Sequence, residues 1–387
     1  MISIMFHSVG LENLKWRSSH ISESISQMEL KLWQIKKDGY RSLSMQDAFY
    51  SRNSKKDKLI HLNYDDGYLD NWIHLFPILE NLKLKATIYV SADFIDPREI
   101  VREQNNTYDH YHKGPENCCA GFLSFPEMRK MENSGLVEIQ SHAKTHTWYF
   151  KGSKIVDFWH PGSATKAGGP VWMLWNRFPE SKPFYLTEAD NLESKIPYGT
   201  PIYEHGKSLE TRRYYPGNEK LEKKLIEHAA SDPYFFKKNN WINELNQIVN
   251  RENENSKGCF ETEKEYFDRV NQELSESKNI LEIGLGHPIE GICWPGGGVE
   301  KEVVILAKSI GYKYFTLPSK WKRSPNEFYH EMIPRISSLS KVTFNGKIIS
   351  IPTSNDFSLY LKAMNGIKLS KFIFFIKRAF KFLKNEL

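Results

Sequence analysis

Two adjacent carboxylates are the first feature of the sequence with an evident chemical use. Asp65 and Asp66 follow the apolar run "KLIHLNY" and precede Gly67. Neighbouring side chains of a strand point to opposite faces, so both aspartates can face one site only if the strand has ended before them. Gly67 supplies a turn that allows this. An ordinary acidic turn is the alternative, and a partner motif is needed to choose between the two.

Two histidines provide such a partner motif. The stretch "QSHAKTHTW" places His142 and His146 four residues apart, directly after the apolar run "VEIQ". On a helical turn this spacing puts both imidazoles on one face, about 5–6 Å apart at Cβ, where they can bind a divalent metal. Ser141 would then be the N-cap of the turn. Taken singly, histidines at this spacing are more often surface or packing residues.

Together, the two motifs supply the parts of a hydrolytic metal site. Two histidines and one carboxylate leave a tetrahedral metal with an open position for water. The second carboxylate of the pair can then act as general base on that water. Position along the chain does not decide which aspartate has which role.

The surrounding elements alternate in type over the first 150 residues. Short strands such as "ISIMF", "KLIHLNYDD", "KATIYV" and "VEIQ" are separated by amphipathic helical segments such as "ISESISQMELKLWQIKKDGY". This alternation indicates βα units and a mostly parallel sheet, with functional groups at the carboxyl ends of the strands. The pattern breaks between about 151 and 279, which we interpret as a long insertion, and resumes at "EGICWPGGG".

Composition limits the function classes. The chain has 387 residues, 40% hydrophobic content and a net charge of +6, and its basic residues are scattered rather than grouped in a nucleic-acid-binding stripe. We therefore expect no nucleic-acid partner. The four cysteines lack C-x-x-C spacing. The N-terminus "MISIMFHSVG" is typical of a first strand rather than a signal peptide. No apolar window is long enough to span a membrane. These features predict a cytoplasmic location.

The order and spacing of the motifs resemble the polysaccharide deacetylases, carbohydrate esterase family 4 with its NodB homology region. The first motif of that family, T-F-D-D-G, is matched by residues 63–67, and the second, of the H-[ST]-x-x-H type, is matched with a register difference by residues 141–146. The stretch "CWPGGG" resembles the third motif, which lines the acetate side of the groove. The resemblance covers residues 1 to about 150 and about 280 to 340.

The resemblance implies a role for each matched residue. Asp65 would be the catalytic base. The metal would be bound by Asp66, His142 and His146, and the substrate groove would be lined by Trp294, Pro295 and Gly296. The implied cofactor is a divalent metal, most commonly zinc, with iron, cobalt and nickel as alternatives.

The implied fold is an α/β structure, an irregular (β/α)7-type barrel with a long insertion. The predicted organisation is a first part of the barrel at 1–150, an aromatic-rich insertion at 151–279, a second part of the barrel at 280–355, and a basic amphipathic C-terminal tail at 356–387.

The sequence departs from the family pattern at two points. Cys293 stands where many relatives carry an arginine that orients the base, and the late L-x-H motif, whose histidine acts as general acid, has no clear counterpart. His160 in "DFWHP" and His205 in "IYEHG" are candidate substrate-site residues that would supply the missing acid. Ordinary hydrogen-bonded histidines are the alternative for both.

The insertion is rich in tryptophan, with Trp159, Trp172 and Trp175 among prolines and glycines. Aromatic faces pack against the apolar faces of sugar rings, so these residues predict a lid over the metal cleft. A small core for the insertion itself is the alternative.

The C-terminal tail combines apolar residues at helical spacing with positive charge. The apolar positions are Leu369, Phe372, Ile373, Ile376, Phe380 and Leu383, and the basic ones are Lys371, Lys377, Arg378, Lys381 and Lys384. This pattern is typical of a helix lying in an anionic membrane surface. A terminal helix docked on the barrel is the alternative.

The sequence therefore predicts a cytoplasmic, metal-dependent N-deacetylase, with peripheral contact at the inner face of the membrane through the C-terminal tail. Its substrate would be an N-acetylated glycan or sugar-linked precursor in bacterial surface polysaccharide or lipopolysaccharide biosynthesis. Two alternatives stay open. One is a metal-dependent hydrolase of another amide or an O-acyl ester, and the other is a catalytically silent glycan-binding protein.

Overall fold

The computed structural model describes residues 1–376, with gaps. The gaps are 12–18, 55–57, 105–118, 165–168, 188–192, 211, 213, 253–259, 319–324, 339–340, 345–346, 351–353 and 375.

The strands, in chain order, are β1 Ile2–Phe6, β2 Ser8–Val9, β3 Ser22–Glu23, β4 Arg41–Ser42, β5 Leu59–Tyr64, β6 Ala86–Val90, β7 Val137–Ser141, β8 Trp148–Phe158, β9 Pro201–Lys207, β10 Gly291–Ile292, β11 Tyr314–Phe315, β12 Ile336–Ser337, β13 Lys341–Phe344 and β14 Lys347–Ser350. The α-helices are α1 Ile25–Lys37, α2 Met45–Ser51, α3 Phe76–Leu82, α4 Phe125–Asn133, α5 Trp172–Arg177, α6 Glu219–Ala230, α7 Trp241–Glu252, α8 Glu263–Leu285, α9 Lys301–Ile310 and α10 Ser354–Met364. A π-helical turn, Asn71–Leu75, precedes α3, and a 3-10 helix spans Pro179–Phe184.

A parallel sheet forms the centre of the fold. Its strand order is β11-β10-β7-β6-β5-β1-β12, and β4 adds a parallel pairing to β5. An isolated parallel bridge between Thr316 and Ile333 links the segments beside the two end strands, so the sheet curls toward a closed barrel. The predicted α/β barrel fold is confirmed. Because the strands are parallel, their carboxyl ends lie at one edge, where side chains from distant parts of the chain can meet.

The strands and helices follow from local sequence. All residues of β5 and β6 are buried, as expected for strands covered on both faces. Met28, Leu32 and Ile35 of α1 recur at helical spacing and are fully buried, and Ser24 caps this helix by accepting a hydrogen bond from the Gln27 amide. The helix layer is therefore fixed to the sheet by apolar stripes.

The segment between β7 and β10 contains elements outside the parallel sheet. Strands β8 and β9 form an antiparallel pair, and α6 and α7 pack together around a small apolar core that includes Phe158, Leu225 and Leu245. Helix α8, in contrast, contacts β7, α4 and α9 of the barrel. The predicted end of the insertion at 279 falls inside this helix.

The C-terminal part returns to the barrel. Helix α10 packs on α1, and the Tyr360 hydroxyl donates a hydrogen bond of 3.0 Å to the Ser337 carbonyl of β12. A further helical segment, 368–374, follows Gly366. Among the described residues, no helix combines the length and apolar character required to cross a bilayer.

Candidate metal-binding active site

The turn after β5 directs two adjacent carboxylates into one cavity. Strand β5 ends at Tyr64, and the next two residues after Asp65 adopt left-handed backbone conformations, with φ of 78° at Asp66 and 77° at Gly67. A Cβ atom on Gly67 would lie 3.1 Å from the Val90 side chain, so glycine is required here. Asp65 and Asp66 both line the cavity. The left-handed conformation of a non-glycine residue is typical of functional sites.

The two histidines lie on a loop rather than on the predicted helical turn. Residues 142–147 after β7 form no helix, and both Ala143 (φ 57°) and His146 (φ 44°) are left-handed. Ser141 is the last residue of β7, where its hydroxyl accepts a hydrogen bond of 3.0 Å from the Ala143 amide. The helical-turn prediction is therefore wrong, although the loop brings the two imidazole centroids within 5.1 Å of each other.

The donor atoms of the three predicted metal ligands lie close together. Asp66 Oδ1 lies 3.3 Å from His142 Nε2 and 3.2 Å from His146 Nε2. His142 Nδ1 lies 2.8 Å from the Cys293 carbonyl oxygen, which can only accept, so Nδ1 carries a proton and Nε2 is the ring nitrogen that faces Asp66.

This arrangement fits a bound cation. Asp66 Oδ1 is buried, and among the described residues it has no hydrogen-bond donor unless one of the two histidines is protonated. A carboxylate oxygen and two imidazole nitrogens at these distances repel one another without a positive charge between them. Burial alone would raise the pKa of Asp66, but His146 and His142 hold it well below its usual value, so the group stays ionised. Two imidazoles and a carboxylate are a donor set that suits zinc.

Asp65 is held by a different partner. Arg335 Nη1 donates a hydrogen bond of 2.6 Å to Asp65 Oδ1, and the Cys293 thiol lies 3.7 Å from both carboxylate oxygens. Burial raises the pKa of Asp65, but the charges of Arg335, His142 and His7 and the hydrogen bond from Arg335 together keep it below its usual value. Many relatives carry an arginine at the position of Cys293. In this chain Arg335, which lies directly before β12, supplies the guanidinium that contacts Asp65. The sequence carried no signal for Arg335.

A third histidine, His7, lies beside Asp65. Its Nε2 is 3.9 Å from Asp65 Oδ2, and its side chain lines the cavity. Burial lowers the pKa of His7, although the charges of Asp66 and Asp65 oppose this shift, so the imidazole is neutral near pH 7. We did not predict His7 as a site residue. Its position directly after β1, at the carboxyl edge of the sheet, was the available signal.

A buried ion network supports the histidine loop. Glu273 of α8 accepts hydrogen bonds from the amides of Lys144 and Thr145, at 3.2 and 2.8 Å. Lys182, from the 3-10 helix at Pro179–Phe184, donates to Asp93 at 2.6 Å and to the Thr145 carbonyl at 3.1 Å. The insertion therefore holds the backbone beside His146.

The donor cluster opens into a cavity of about 430 Å³. One wall is aromatic and joins barrel residues to insertion residues, namely Tyr68, Phe94, Phe122, Trp148, Trp175 and Tyr185. The lining also includes Gly296, Gly297, Thr316 and Leu317. Trp175 is only 8% exposed, and its indole N–H is buried and has no partner among the described residues. A buried donor without a partner is costly, so a ligand oxygen at this position would be favoured.

Several candidate substrate residues lie elsewhere. Trp294 is buried and stacks on Phe315 at 5.8 Å, and Pro295 is buried beside it, so only Gly296 of these three lines the cavity. His160 packs on Trp241 at 5.3 Å and His205 on Trp172 at 5.0 Å, and neither lines the cavity. Both histidines therefore contact tryptophans within the insertion.

The insertion tryptophans contribute both to an apolar core and to the wall of the cavity, the two roles that the sequence left open. Trp159 and Trp172 are buried in one apolar cluster with Phe94 and Phe122 of the barrel, and Trp159 donates its indole N–H to the Glu193 carbonyl. Trp175 belongs to the same cluster but also lines the cavity. The core of the insertion and the wall of the cavity are thus continuous.

Comparisons with known proteins agree with this arrangement. Residues 52–160 match the family model described as polysaccharide deacetylase. YxkH of Bacillus subtilis strain 168, a putative polysaccharide deacetylase, is 26% identical over 104 residues, which are 26% of this chain and 35% of that protein. The match thus spans about a third of the length of this curated relative.

Two solved structures are also similar to the chain. A de-N-acetylase from Aggregatibacter actinomycetemcomitans is 17% identical with a TM-score of 0.47, covering 87% of this chain and 93% of that one. The BpsB deacetylase domain from Bordetella bronchiseptica is 17% identical with a TM-score of 0.49, and the match covers 87% of this chain and 95% of that one.

The fold and the site define an α/β barrel with a carboxylate and histidine cluster at the carboxyl ends of its strands. The matched segment 52–160 contains Asp65, Asp66, His142 and His146, and in this segment the chain is similar to the polysaccharide deacetylase family.

Proposed function

We propose that this chain is a metal-dependent N-deacetylase that removes the acetyl group from an N-acetylated sugar. One observation carries the proposal: a single cavity holds a three-donor cluster and, beside it, a separate carboxylate paired with an arginine. Hydrolysis of an amide at a metal needs these two parts, a binding site for the ion and a base for the water.

Asp66, His142 and His146 would hold the ion, which we propose to be zinc, with iron, cobalt or nickel as alternatives that the same donors accept. When bound, the ion would polarise the amide carbonyl and increase the acidity of a water molecule. The hydrogen bond from His142 Nδ1 to the Cys293 carbonyl orients one ligand for this purpose.

Asp65, Arg335 and His7 have separate roles in the proton transfers. Asp65 removes a proton from the attacking water, whose oxygen bonds to the acyl carbon. Arg335 keeps Asp65 ionised and fixes its orientation. The carbon–nitrogen bond then breaks, and the proton that Asp65 took from the water passes by way of His7, whose Nε2 lies 3.9 Å from Asp65 Oδ2, to the leaving nitrogen, so that both side chains return to their starting forms. The products are acetate and the free amine.

The aromatic wall supports a sugar as substrate. Flat aromatic faces such as Trp148 and Trp175 pack on the apolar face of a pyranose ring, and the unpartnered indole N–H of Trp175 would donate to a sugar oxygen. We retain the sequence-based proposal that this sugar belongs to a bacterial surface polysaccharide or lipopolysaccharide, or to a linked precursor of one.

The alternative of a silent glycan-binding protein rested on Cys293 and on the missing late histidine. Arg335 provides a guanidinium for Asp65 and His7 provides an imidazole, so neither departure requires a loss of activity. We therefore favour the enzyme.

Acetate release from N-acetylated sugars and from matched O-acetyl esters tests this proposal. We expect release from the N-acetyl compounds, and loss of release in Asp65→Asn with the bound metal retained. Release from esters alone would indicate the alternative hydrolase. Full metal occupancy without turnover of any acetylated sugar would contradict the proposal.

A further inference from the structure

The C-terminal helical segment exposes an apolar stripe. We use this name for Leu369, Phe372, Ile373 and Ile376, which recur at intervals of three and four residues in a segment that is helical at 368–374 and 376. Their exposed fractions are 68%, 64%, 37% and 38%, in this order. Single exposed apolar residues are ordinary, but four that share one helix face form a patch of the kind that binds a partner.

The helix is attached to the rest of the chain through a different face. Ser370 and Phe374 are buried, and the Phe374 ring lies 5.4 Å from the ring of Tyr360 in α10. Tyr360 in turn donates a hydrogen bond to the carbonyl of Ser337, a residue that lines the cavity. Docking on the barrel therefore uses Ser370 and Phe374 and leaves the apolar stripe uncovered by the described residues.

Charge identifies the kind of surface that the stripe fits. Lys368 and Lys371 are exposed on the same helical segment. The sequence from 368 to 387 contains six basic residues and one acidic residue, and the apolar spacing continues to Phe380 and Leu383, which lie outside the described residues. An anionic lipid surface complements both properties, whereas a second copy of this chain would bring like charges together.

We propose that the apolar stripe docks this protein on an anionic membrane surface, with Leu369 and Phe372 among the acyl chains and Lys368 and Lys371 at the phosphate headgroups. No described helix can span the bilayer, so the contact is peripheral. This proposal is independent of the proposed deacetylase activity.

Flotation of the full chain with vesicles tests the docking. We expect binding to vesicles of phosphatidylcholine with phosphatidylglycerol, and little binding to pure phosphatidylcholine. Leu369→Gln combined with Phe372→Gln should weaken binding about tenfold or more, because the inserted apolar area is lost. Lys368→Gln and Lys371→Gln should each weaken it about fivefold.

Matched exposed residues elsewhere provide the controls. Ile283→Gln with Ile305→Gln removes two apolar side chains that are 85% and 57% exposed, and Lys223→Gln with Lys264→Gln removes two charges that are 78% and 88% exposed. These variants should bind as the wild type does, and all variants should melt at the wild-type temperature.

Two results would overturn the proposal. One is equal flotation of the wild type and the Leu369→Gln, Phe372→Gln variant, including a failure of both to bind. The other is a dimer in light scattering that this variant abolishes while vesicles bind neither protein, which would assign the stripe to a second copy of the chain.

Discussion

Asp65 and Asp66 are adjacent in sequence, but they have different charged neighbours. Asp66 faces His142 and His146, whereas Asp65 accepts a hydrogen bond from Arg335. The left-handed conformation of Asp66 makes this separation possible, because it turns the second carboxylate away from the alternation of the preceding strand. Two identical side chains can therefore have different chemical roles.

Replacing Arg335 should shift the pH dependence of the reaction. In Arg335→Met, Asp65 stays buried but loses its positive partner, so its pKa rises and the ionised base is present only at higher pH. We expect the acidic limb of the kcat/KM profile to move to higher pH, with a loss of about 100-fold at pH 7. Arg335→Lys is the control and should recover part of the rate. An unchanged acidic limb in Arg335→Met would contradict the role of Arg335.

Replacing His7 should slow the hydrolysis of different substrates to different extents, depending on whether the leaving group needs a proton. A sugar amine needs a proton as it departs, whereas the phenolate of an aryl acetate does not. His7→Gln should therefore lower kcat on an N-acetylated sugar about 100-fold or more and change aryl acetate hydrolysis only a few-fold. Equal losses on both substrates would show that His7 is not the acid.

Sequence reasoning located the local motifs but not their distant partners. The pairs Asp65–Asp66 and His142–His146 are short-range patterns that follow predicted strands. Arg335 reaches Asp65 across 270 positions of the chain, and a single arginine in an irregular segment carries no pattern of its own. His7 could have been inferred, because it follows β1 at the same edge of the sheet.

The loop at 142–147 is the element on which the proposed metal site depends most. Its two left-handed non-glycine residues, Ala143 and His146, cost free energy that the surrounding contacts must offset. Glu273 and Lys182 supply these contacts from α8 and from the insertion. The sequence could not predict this loop, because left-handed conformations are expected at glycine, and the four-residue spacing favoured a helical turn.

Removing Lys182 should weaken metal binding without removing a ligand. Lys182→Met keeps most of the side-chain volume but releases Asp93 and the Thr145 carbonyl, so the loop that carries His146 loses a support. We expect the Kd for zinc to rise about 10- to 100-fold in calorimetric titrations. Lys154→Met, at an exposed position of β8, is the control and should bind zinc normally. A wild-type Kd in a folded Lys182→Met protein would contradict the supporting role.

The insertion should influence the affinity for substrate through Trp175. Trp175→Phe keeps an aromatic face but removes the unpartnered N–H, so KM for the N-acetylated sugar should rise about 3- to 10-fold with kcat little changed. Trp172→Phe is the matched control, since Trp172 lies in the same helix but packs on Phe150 and His205. If both variants kept the wild-type KM, the indole of Trp175 would not contact the substrate.

At the scale of the whole molecule, the barrel brings together residues that lie between positions 7 and 335. They share one cavity because parallel strands place their carboxyl ends at the same edge, and the bridge between Thr316 and Ile333 draws the segment containing Arg335 to that edge. Strand and helix alternation predicted this architecture correctly. The packing of the insertion on the barrel was not predictable, since it depends on long-range aromatic contacts such as that between Phe94 and Trp175, whose ring centroids lie 5.1 Å apart.

The proposed reaction requires that Asp66, His142 and His146 bind a divalent ion. This requirement is tested by acetate release from an N-acetylated sugar, measured on chelator-stripped protein before and after addition of one equivalent of zinc. We expect negligible release without the ion, recovery at a ratio of one ion per chain, and no recovery in Asp66→Ala. Full release by the stripped protein, with elemental analysis showing no residual metal, would contradict it.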